Sequence, residues 1–279
     1  MKDITFGSYY RAESVIHRLD ARVKILLLIG AMVAIFTAKG TVSLATVAVF
    51  SFTCMLMTNV PFRLYLKSMK PLLILVIFTS LLNIFYTPGE IHLFDWWIFH
   101  PTFEGLLFSL KMITRITSLI ILSSALMYTT TPIALTDAIE SLLSPLKIVR
   151  FPVHETAMMM TLALRFIPTL LEETDKIMCA QKARGADFES GGIFKRAKAL
   201  IPVLVPLLVS AFRRAPELAT AMECRCYNGG KGRTKMRVMK MGKGDLFAAL
   251  TVCLLIAGVI LARVKGFDIP EWSVILNLH

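Results

Sequence analysis

Two arginine-centred tripeptides, Ala183-Arg184-Gly185 and Cys224-Arg225-Cys226, carry the clearest recognition chemistry in this sequence. A guanidinium is permanently charged, and its planar fork can bond a carboxylate and backbone carbonyls of a partner groove together. A simpler interpretation is routine capping, because a cation in the last turn of a helix interacts favourably with the helix dipole. Since both tripeptides fall at the ends of long predicted helices, we favour a matched pair of docking sites for partner proteins.

Few residue patterns in this sequence could support catalysis or metal binding. No Gly-x-x-x-x-Gly-Lys-Ser/Thr pattern for nucleotide phosphates occurs, so we do not expect this chain to bind ATP through a P-loop. Cys224 and Cys226 lack the paired spacing of a zinc motif, and no histidine is close to them in sequence. We therefore predict a protein that is not an enzyme, with no catalytic residues, no cofactor and no metal site.

The composition is that of a membrane protein. Hydrophobic residues make up 56% of the chain and charged residues only 18%, so a soluble fold would expose wide apolar patches. The net charge of +12 suits basic residues clustered at the edges of a lipid bilayer and requires no nucleic acid partner. The N-terminal residues show no apolar segment followed by a cleavage site, so we expect no signal peptide.

Five predicted membrane spans position these residues. A complete crossing needs roughly 20 mostly apolar residues, and the first and third spans are short for this. Lysines at their ends would therefore have to reach toward the interface. The predicted spans are Val23–Ala38, Val42–Val60, Pro71–Phe85, Gly105–Met127 and Leu246–Ala262.

The charges of the loops predict the orientation in the cell membrane. Lys and Arg are concentrated in the N-terminal tail and in the predicted loop over residues 61–70. The segment from Tyr86 to Glu104 has none and contains Trp96 and Trp97. Positive charge favours the cytoplasmic side, and aromatic residues favour the interface. We therefore place the N-terminus in the cytoplasm, the Trp-rich loop outside and the stretch after the fourth span inside.

Lys111 and Arg115 fall inside the fourth predicted span. They are four residues apart and therefore share one helix face. A charge at this depth is costly and usually faces protein or water, which indicates a contact with another subunit or an internal structural lock. The alternative is that the span begins nearer Ile116, and the sequence favours neither interpretation.

A basic stretch between Thr129 and Lys243 holds 18 of the 31 Lys and Arg residues. The predicted fold is an all-α integral membrane protein with about five transmembrane helices and a cytoplasmic domain of long helices. The predicted domain boundaries are residues 1–128, 129–244 and 245–279. Hydrophobic periodicity in the basic stretch predicts three helices, over Pro132–Ile148, Glu155–Arg184 and Ile193–Tyr227.

The third of these helices contains an apolar patch, Ala199–Phe212. The patch is short for a membrane crossing, includes Pro202 and Pro206, and has basic residues on both flanks. We favour packing against the membrane spans or against the neighbouring helix. The alternative is a re-entrant or fully spanning pair of segments, which would raise the number of spans.

Three stretches of the chain resemble the transmembrane T component of energy-coupling factor (ECF) transporters, which are ABC-type importers of vitamins and metal ions. The segment over residues 14–24 contains Asp20, Arg22 and Lys24 and is similar to the family signature Leu-Asp-Pro-Arg-x-Lys. Residues 181–185 and 221–227 resemble the two Ala-Arg-Gly motifs of the family. Each tripeptide alone is a weak signal, but the ordered set across nearly the whole chain is specific.

The resemblance implies a non-catalytic coupling subunit with two long coupling helices that cross at the cytoplasmic face. Each helix would end in an arginine that docks onto an ABC ATPase, so that Arg184 engages one ATPase and Arg225 the other. The resemblance also implies a small membrane-embedded S component, which binds a vitamin and is reoriented when the ATPases close. Different contacts in the two states would have to drive that reorientation.

The chain departs from the family pattern at three positions. Ala21 stands where the family usually has proline, and Cys224 and Cys226 stand in place of alanine and glycine beside the second arginine. Cysteine is small enough to permit docking. The loss of glycine, however, restricts the backbone at that helix end.

Other functions are open to a chain of this kind. One is a T-like permease subunit of a dedicated cobalt or nickel importer, and another is a self-sufficient membrane carrier. Only Lys111 and Arg115 favour a carrier, because the spans show no internal repeat. An intramembrane enzyme would need polar catalytic groups that converge within the bilayer. Apart from Lys24 at an edge, spans one, two, three and five offer only small polar residues.

Overall fold

The computed structural model describes residues 9–38, 40–86, 103–149, 152–188, 190, 192–229 and 241–264. Within these ranges the chain is helical and contains no strand, which confirms the predicted all-α class. In chain order the α-helices are α1 (Val15–Arg18), α2 (Ala21–Thr37), α3 (Thr41–Met57), α4 (Phe62–Tyr86), α5 (Phe103–Thr129), α6 (Pro132–Leu142), α7 (Val153–Ala183), α8 (Ile193–Glu223) and α9 (Lys243–Val264), with a 3₁₀-helix over Ser144–Val149 between α6 and α7.

The five predicted spans fall on α2, α3, α4, α5 and α9, and the protein is a multi-pass membrane protein. α2 and α3 have 17 residues each, so they are about 25 Å long against a hydrocarbon core of about 30 Å. The Trp-rich loop lies outside the described residues. Four described segments are long and apolar enough to cross a membrane: Phe62–Ile84, Gly105–Thr129, Phe194–Glu223 and Lys243–Val264.

The predicted start of the third span at Pro71 is wrong. α4 begins at Phe62, so the basic residues assigned to a loop over 61–70 lie on its first turns. A proline inside a helix removes one backbone hydrogen bond, but packing can compensate for that loss. Tyr65 is 1% exposed, and its ring meets the ring of Tyr128 edge-to-face at 5.3 Å, which fixes the start of α4 against α5.

The chain divides into two compact units, residues 1–135 with 238–279 and residues 136–237. In the first unit, small side chains on α2 permit close packing: Ala31, Ala34 and Ala38 belong to one buried cluster with Val47 and Val259. Lipid is as apolar as the helix surfaces, so membrane helices associate through such close van der Waals contacts.

In the second unit, the helix predicted over Pro132–Ile148 is interrupted. α6 ends at Leu142, and a 3₁₀-helix follows over Ser144–Val149. Pro145 accounts for the break because a proline disfavours the α conformation of the residue before it. The next predicted helix matches α7, which begins at Val153 and continues through Pro168.

The apolar patch Ala199–Phe212 lies on one uninterrupted helix, and no pair of separate segments is formed there. α8 has 31 residues and continues through Pro202, Pro206 and a third proline. Leu204 and Phe212 are 61% and 71% exposed, so the described part of the chain leaves much of this patch uncovered.

Candidate docking site

Arg184 is the C-cap of α7, and Gly185 follows it with φ of +87°. The Ala186 N–H donates to the Gln181 carbonyl, and the Gly185 N–H donates to the Lys182 carbonyl, both at 3.0 Å. These two bonds form a Schellman motif, which ends a helix on a left-handed residue. A side chain at Gly185 would meet no atom within 4 Å, so the backbone conformation, and not the available space, selects glycine.

Arg225 directly precedes the left-handed residue after α8, as Arg184 does after α7, although the C-cap of α8 is Cys224. The Tyr227 N–H donates to the Met222 carbonyl at 3.1 Å, and the Cys226 N–H donates to the Glu223 carbonyl at 2.8 Å. These bonds repeat the Schellman pattern, with Cys226 as the left-handed residue at φ of +54°. α8 ends at Glu223, four residues before the predicted end at Tyr227. The replacement of glycine by Cys226 has not prevented the turn.

Both arginines thus directly precede a left-handed residue that turns the chain away from the helix axis. Within the described part of the chain, no hydrogen bond or ion pair engages either guanidinium group. The backbone N–H groups around each arginine donate hydrogen bonds within the turn. The guanidinium is therefore the group of each arginine that is available to a partner. All six residues of the two tripeptides are exposed: Ala183, Arg184, Gly185, Cys224, Arg225 and Cys226.

A third arginine of the same unit shows the contrast. The Arg214 Nη2 lies 2.6 Å from the Glu173 Oε2, and both side chains are mostly buried, at 32% and 25% exposed. This ion pair joins α8 to α7 within the unit. Arg214 therefore has an internal structural role, whereas the two terminal arginines have no internal acceptor among the described residues.

Asp20 and Arg22 of the N-terminal signature lie at the start of α2. The Asp20 Oδ1 accepts the Arg22 N–H at 3.0 Å, so Asp20 caps the helix. The Asp20 N–H in turn donates to the Asp245 Oδ1 at 2.8 Å, and the Asp245 Oδ2 accepts the Gly242 N–H at 2.7 Å. One buried carboxylate thus joins the start of α2 to the start of α9.

Lys24 completes this junction. Its Nζ donates to the Thr129 carbonyl at 2.9 Å, to the His17 carbonyl at 3.4 Å and to the Thr130 Oγ1 at 3.4 Å. The residue is only 7% exposed. The signature therefore gathers the beginnings of α2 and α9 and the end of α5 at one end of the first unit.

Lys111 and Arg115 both lie within α5, inside the apolar segment Gly105–Thr129. The Arg115 Nη2 donates to the Ala38 carbonyl at 2.7 Å, and Ala38 is the fully buried C-cap of α2. Arg115 thus makes the contact expected of an internal structural lock. Lys111 is half-buried.

Sequence reasoning missed Asp245, which is 6% exposed and bonds two helix starts. Its position directly before the last predicted span was the available signal, because acidic residues are favoured at the start of a helix. In the described residues, no group of three or more His, Cys, Asp and Glu side chains could hold a metal ion.

The family described as cobalt transport protein (CbiQ) matches residues 12–236. The energy-coupling factor transporter transmembrane protein EcfT of Ruminiclostridium cellulolyticum is 48% identical over 96% of this chain and 100% of its own length. The chain belongs to the family of ECF transporter transmembrane proteins.

Other EcfT proteins support the same conclusion. Those of Acidaminococcus fermentans and Clostridium kluyveri are 48% and 49% identical over 97% and 95% of this chain, and over 99% and 98% of their own lengths. The resemblance predicted from the three motifs is confirmed, and the chain is a transmembrane T component of an ECF transporter. The alternatives of a dedicated cobalt or nickel permease and of a self-sufficient carrier are not favoured by these relatives.

Proposed function

We propose that this T component couples two cytosolic ABC ATPases to a small membrane-embedded S component. The carrying observation is that Arg184 and Arg225 occupy equivalent positions in two Schellman motifs, both exposed. A chance pair of capping arginines has no reason to be repeated directly before the left-handed residue that follows each of two 31-residue helices. Each guanidinium would anchor one ATPase, and the resemblance of both tripeptides to the Ala-Arg-Gly motifs supports this role.

Arginine suits an anchor that must transmit movement. Its planar fork bonds a carboxylate or backbone carbonyls in a fixed orientation, whereas a lysine ammonium acts as a point charge. Closure of the ATPases upon ATP binding would then displace the ends of α7 and α8 together. The chain itself supplies no hydrolysis in this scheme, and ATP is bound by its partners.

The exposed face of α8 supplies a surface on which the S component would be moved. Leu204, Leu208 and Phe212 are four residues apart and lie on one side of the helix, each more than half exposed. A highly hydrophobic partner would cover such a face. The transported compound would be a vitamin or another micronutrient selected by the S component, and the N-terminus of this chain would lie in the cytoplasm.

The docking role is tested by Arg184→Ala and Arg225→Ala in the assembled transporter. The tagged chain is purified from its native membrane, and the two ATPases that remain bound are quantified by mass spectrometry. Truncating one charged side chain that is buried in an interface costs about 2–5 kcal/mol of binding free energy. Each variant should therefore bind one of the two ATPases about 30-fold more weakly, or weaker still. The double variant should retain neither ATPase.

Arg165 and Arg213 provide matched controls, because both are exposed arginines in the interiors of the same two helices. Arg165→Ala and Arg213→Ala remove the same charge without altering a helix end, and both should retain the ATPases. Full retention of both ATPases by the double variant Arg184→Ala/Arg225→Ala would contradict the proposal.

A further inference from the structure

A cavity of about 320 Å³ lies in the first unit, between α1, α2, α3, α5 and α9. Its volume is at the lower end of the range of about 300–1,000 Å³ that is typical of small-molecule sites. Most of the lining is aliphatic, with Leu27, Leu28, Met57, Leu122 and Leu126 among its residues. The cavity is partly open and lies along helices that are embedded in lipid.

Apart from the weakly donating thiol of Cys54, the polar side chains in the wall have no free donor to offer. Lys24 has three N–H groups, and all three donate to acceptors of the protein. The hydroxyls of Thr53, Thr129 and Thr251 each donate to a backbone carbonyl of their own helix, at 2.8, 2.8 and 2.7 Å. The side chains of the wall therefore act as a hydrocarbon surface despite these polar residues.

This wall suits hydrocarbon better than water, because a buried water needs two to four polar partners and most of the wall is aliphatic. A cavity of this volume that stayed empty would also be strongly destabilising, because its lining atoms would lose their packing contacts. The abundant apolar molecule around these helices is membrane lipid. Because all three N–H groups of the Lys24 ammonium are engaged by the protein, the wall presents no free charged donor for an anionic headgroup.

We propose that this cavity holds an acyl chain of a membrane phospholipid and recognises the hydrocarbon chain without recognising the headgroup. The acyl chain would fill the space between α2, α3, α5 and α9, near the junction formed by Lys24 and Asp245. It would thus be a structural component of the first unit, independent of the ATPase contacts in the second.

The test uses the transporter in phosphatidylcholine nanodiscs with a trace of phosphatidylcholine that carries a diazirine near the end of one acyl chain. After irradiation, lipid adducts are mapped by peptide mass spectrometry. Adducts on cavity residues are expressed relative to those on Ile74 of α4, which is 76% exposed and serves as the reference for ordinary lipid contact. We expect adducts on residues 53–57, 122–126 and 247–252, which contribute to the wall.

Two variants that fill the cavity have matched controls on the same helices. Thr53→Leu adds bulk in the cavity, whereas Thr46→Leu changes an exposed threonine that makes the same type of bond outside it. Ala248→Leu fills the cavity from α9, and the adjacent Ala249→Leu does not. Thr53→Leu and Ala248→Leu should each lower the relative cavity adducts severalfold, and the controls should leave them unchanged.

The outcomes are distinct. Relative adducts that are unchanged in both cavity variants, or lowered equally in the controls, would overturn the proposal. Phosphatidylglycerol with the same diazirine chain should label the cavity as well as phosphatidylcholine does. Labelling that requires the anionic headgroup would contradict recognition through the acyl chain.

Gel filtration of each variant shows whether it is folded. The two cavity variants lie on different helices, so if one of them misfolds, the other still tests the proposal.

Discussion

Cys226 holds a backbone conformation that ordinarily selects glycine. Its φ of +54° lies in the left-handed region, where a side chain on Cβ costs about 1 kcal/mol. Gly185 occupies the same place after Arg184 with φ of +87° and no such cost. The helix ends that carry Arg184 and Arg225 therefore share one geometry but differ in stability, with the end beside Arg225 held under mild backbone strain.

Cys226→Gly should relieve this strain and stabilise the end of α8 by about 1 kcal/mol. Hydrogen exchange of the Tyr227 amide, which closes the Schellman motif, measures the change as slower exchange. Cys224→Gly is the matched control, because Cys224 has φ of −59° and should lose a few tenths of a kcal/mol instead. Gly185→Ala should destabilise the end of α7 by about 1 kcal/mol. Faster exchange at Tyr227 in Cys226→Gly would contradict the assignment of strain.

At the scale of helices, buried and half-buried charges of the first unit act as caps for helix ends. Asp20 and Asp245 bond the N–H groups at the starts of α2 and α9, where the helix dipole favours negative charge. Lys24 bonds the last carbonyl of α5, and Arg115 bonds the carbonyl at the end of α2. A short membrane helix that ends in a region without water needs such donors, because its last carbonyls have no partner within the helix.

Lys24→Met tests the cap on α5. Methionine keeps the length and apolar character of the side chain, but it leaves the Thr129 carbonyl without its donor. Hydrogen bonds to a charged group are worth about 1.5–3 kcal/mol each, so we expect a loss of stability of this order and a fall in Tm of roughly 5–10 °C. The fall is measured in detergent, as the temperature at which half of the gel-filtration peak of the folded protein is lost. Lys67→Met, at an exposed site on α4, is the control and should leave Tm unchanged.

The sequence predicted which helices exist better than it predicted their ends and partners. Long apolar runs fix a helix by composition alone, but the start of α4 depends on the packing of Tyr65 against Tyr128, which are far apart in the chain. Pro71 and Pro145 look alike in sequence, yet one lies inside a helix and the other accompanies a break. Lys24 was identifiable from its motif, whereas its acceptor is a backbone carbonyl, a group that every residue carries. Only the fold selects Thr129.

For the whole molecule, the proposed function depends on one topological fact. Arg184 precedes α8 and Arg225 follows it, so both can meet cytosolic ATPases only if α8 does not cross the membrane. Yet Phe194–Glu223 is long and apolar enough to do so. The three prolines inside α8 and the basic residues before its apolar patch favour a helix at the membrane face. A crossing α8 would place the two arginines on opposite sides.

Labelling of single cysteines decides between these topologies. In a chain whose native cysteines are otherwise replaced, Cys224 reports the end of α8 and Gly192→Cys reports its start, where a side chain meets no atom within 4 Å. A membrane-impermeant maleimide should reach both only from the cytoplasmic side, in inside-out vesicles.

Lys243→Cys and Val264→Cys, at the two ends of α9, are the control for a helix that crosses, and they should react from opposite sides. If Gly192→Cys and Cys224 also react from opposite sides, α8 is a span and the two arginines cannot both dock onto cytosolic ATPases. If both sites react, together with Lys243→Cys, only in inside-out vesicles, both ends of α8 lie on the cytoplasmic side and its exposed apolar face is available to a partner at the membrane.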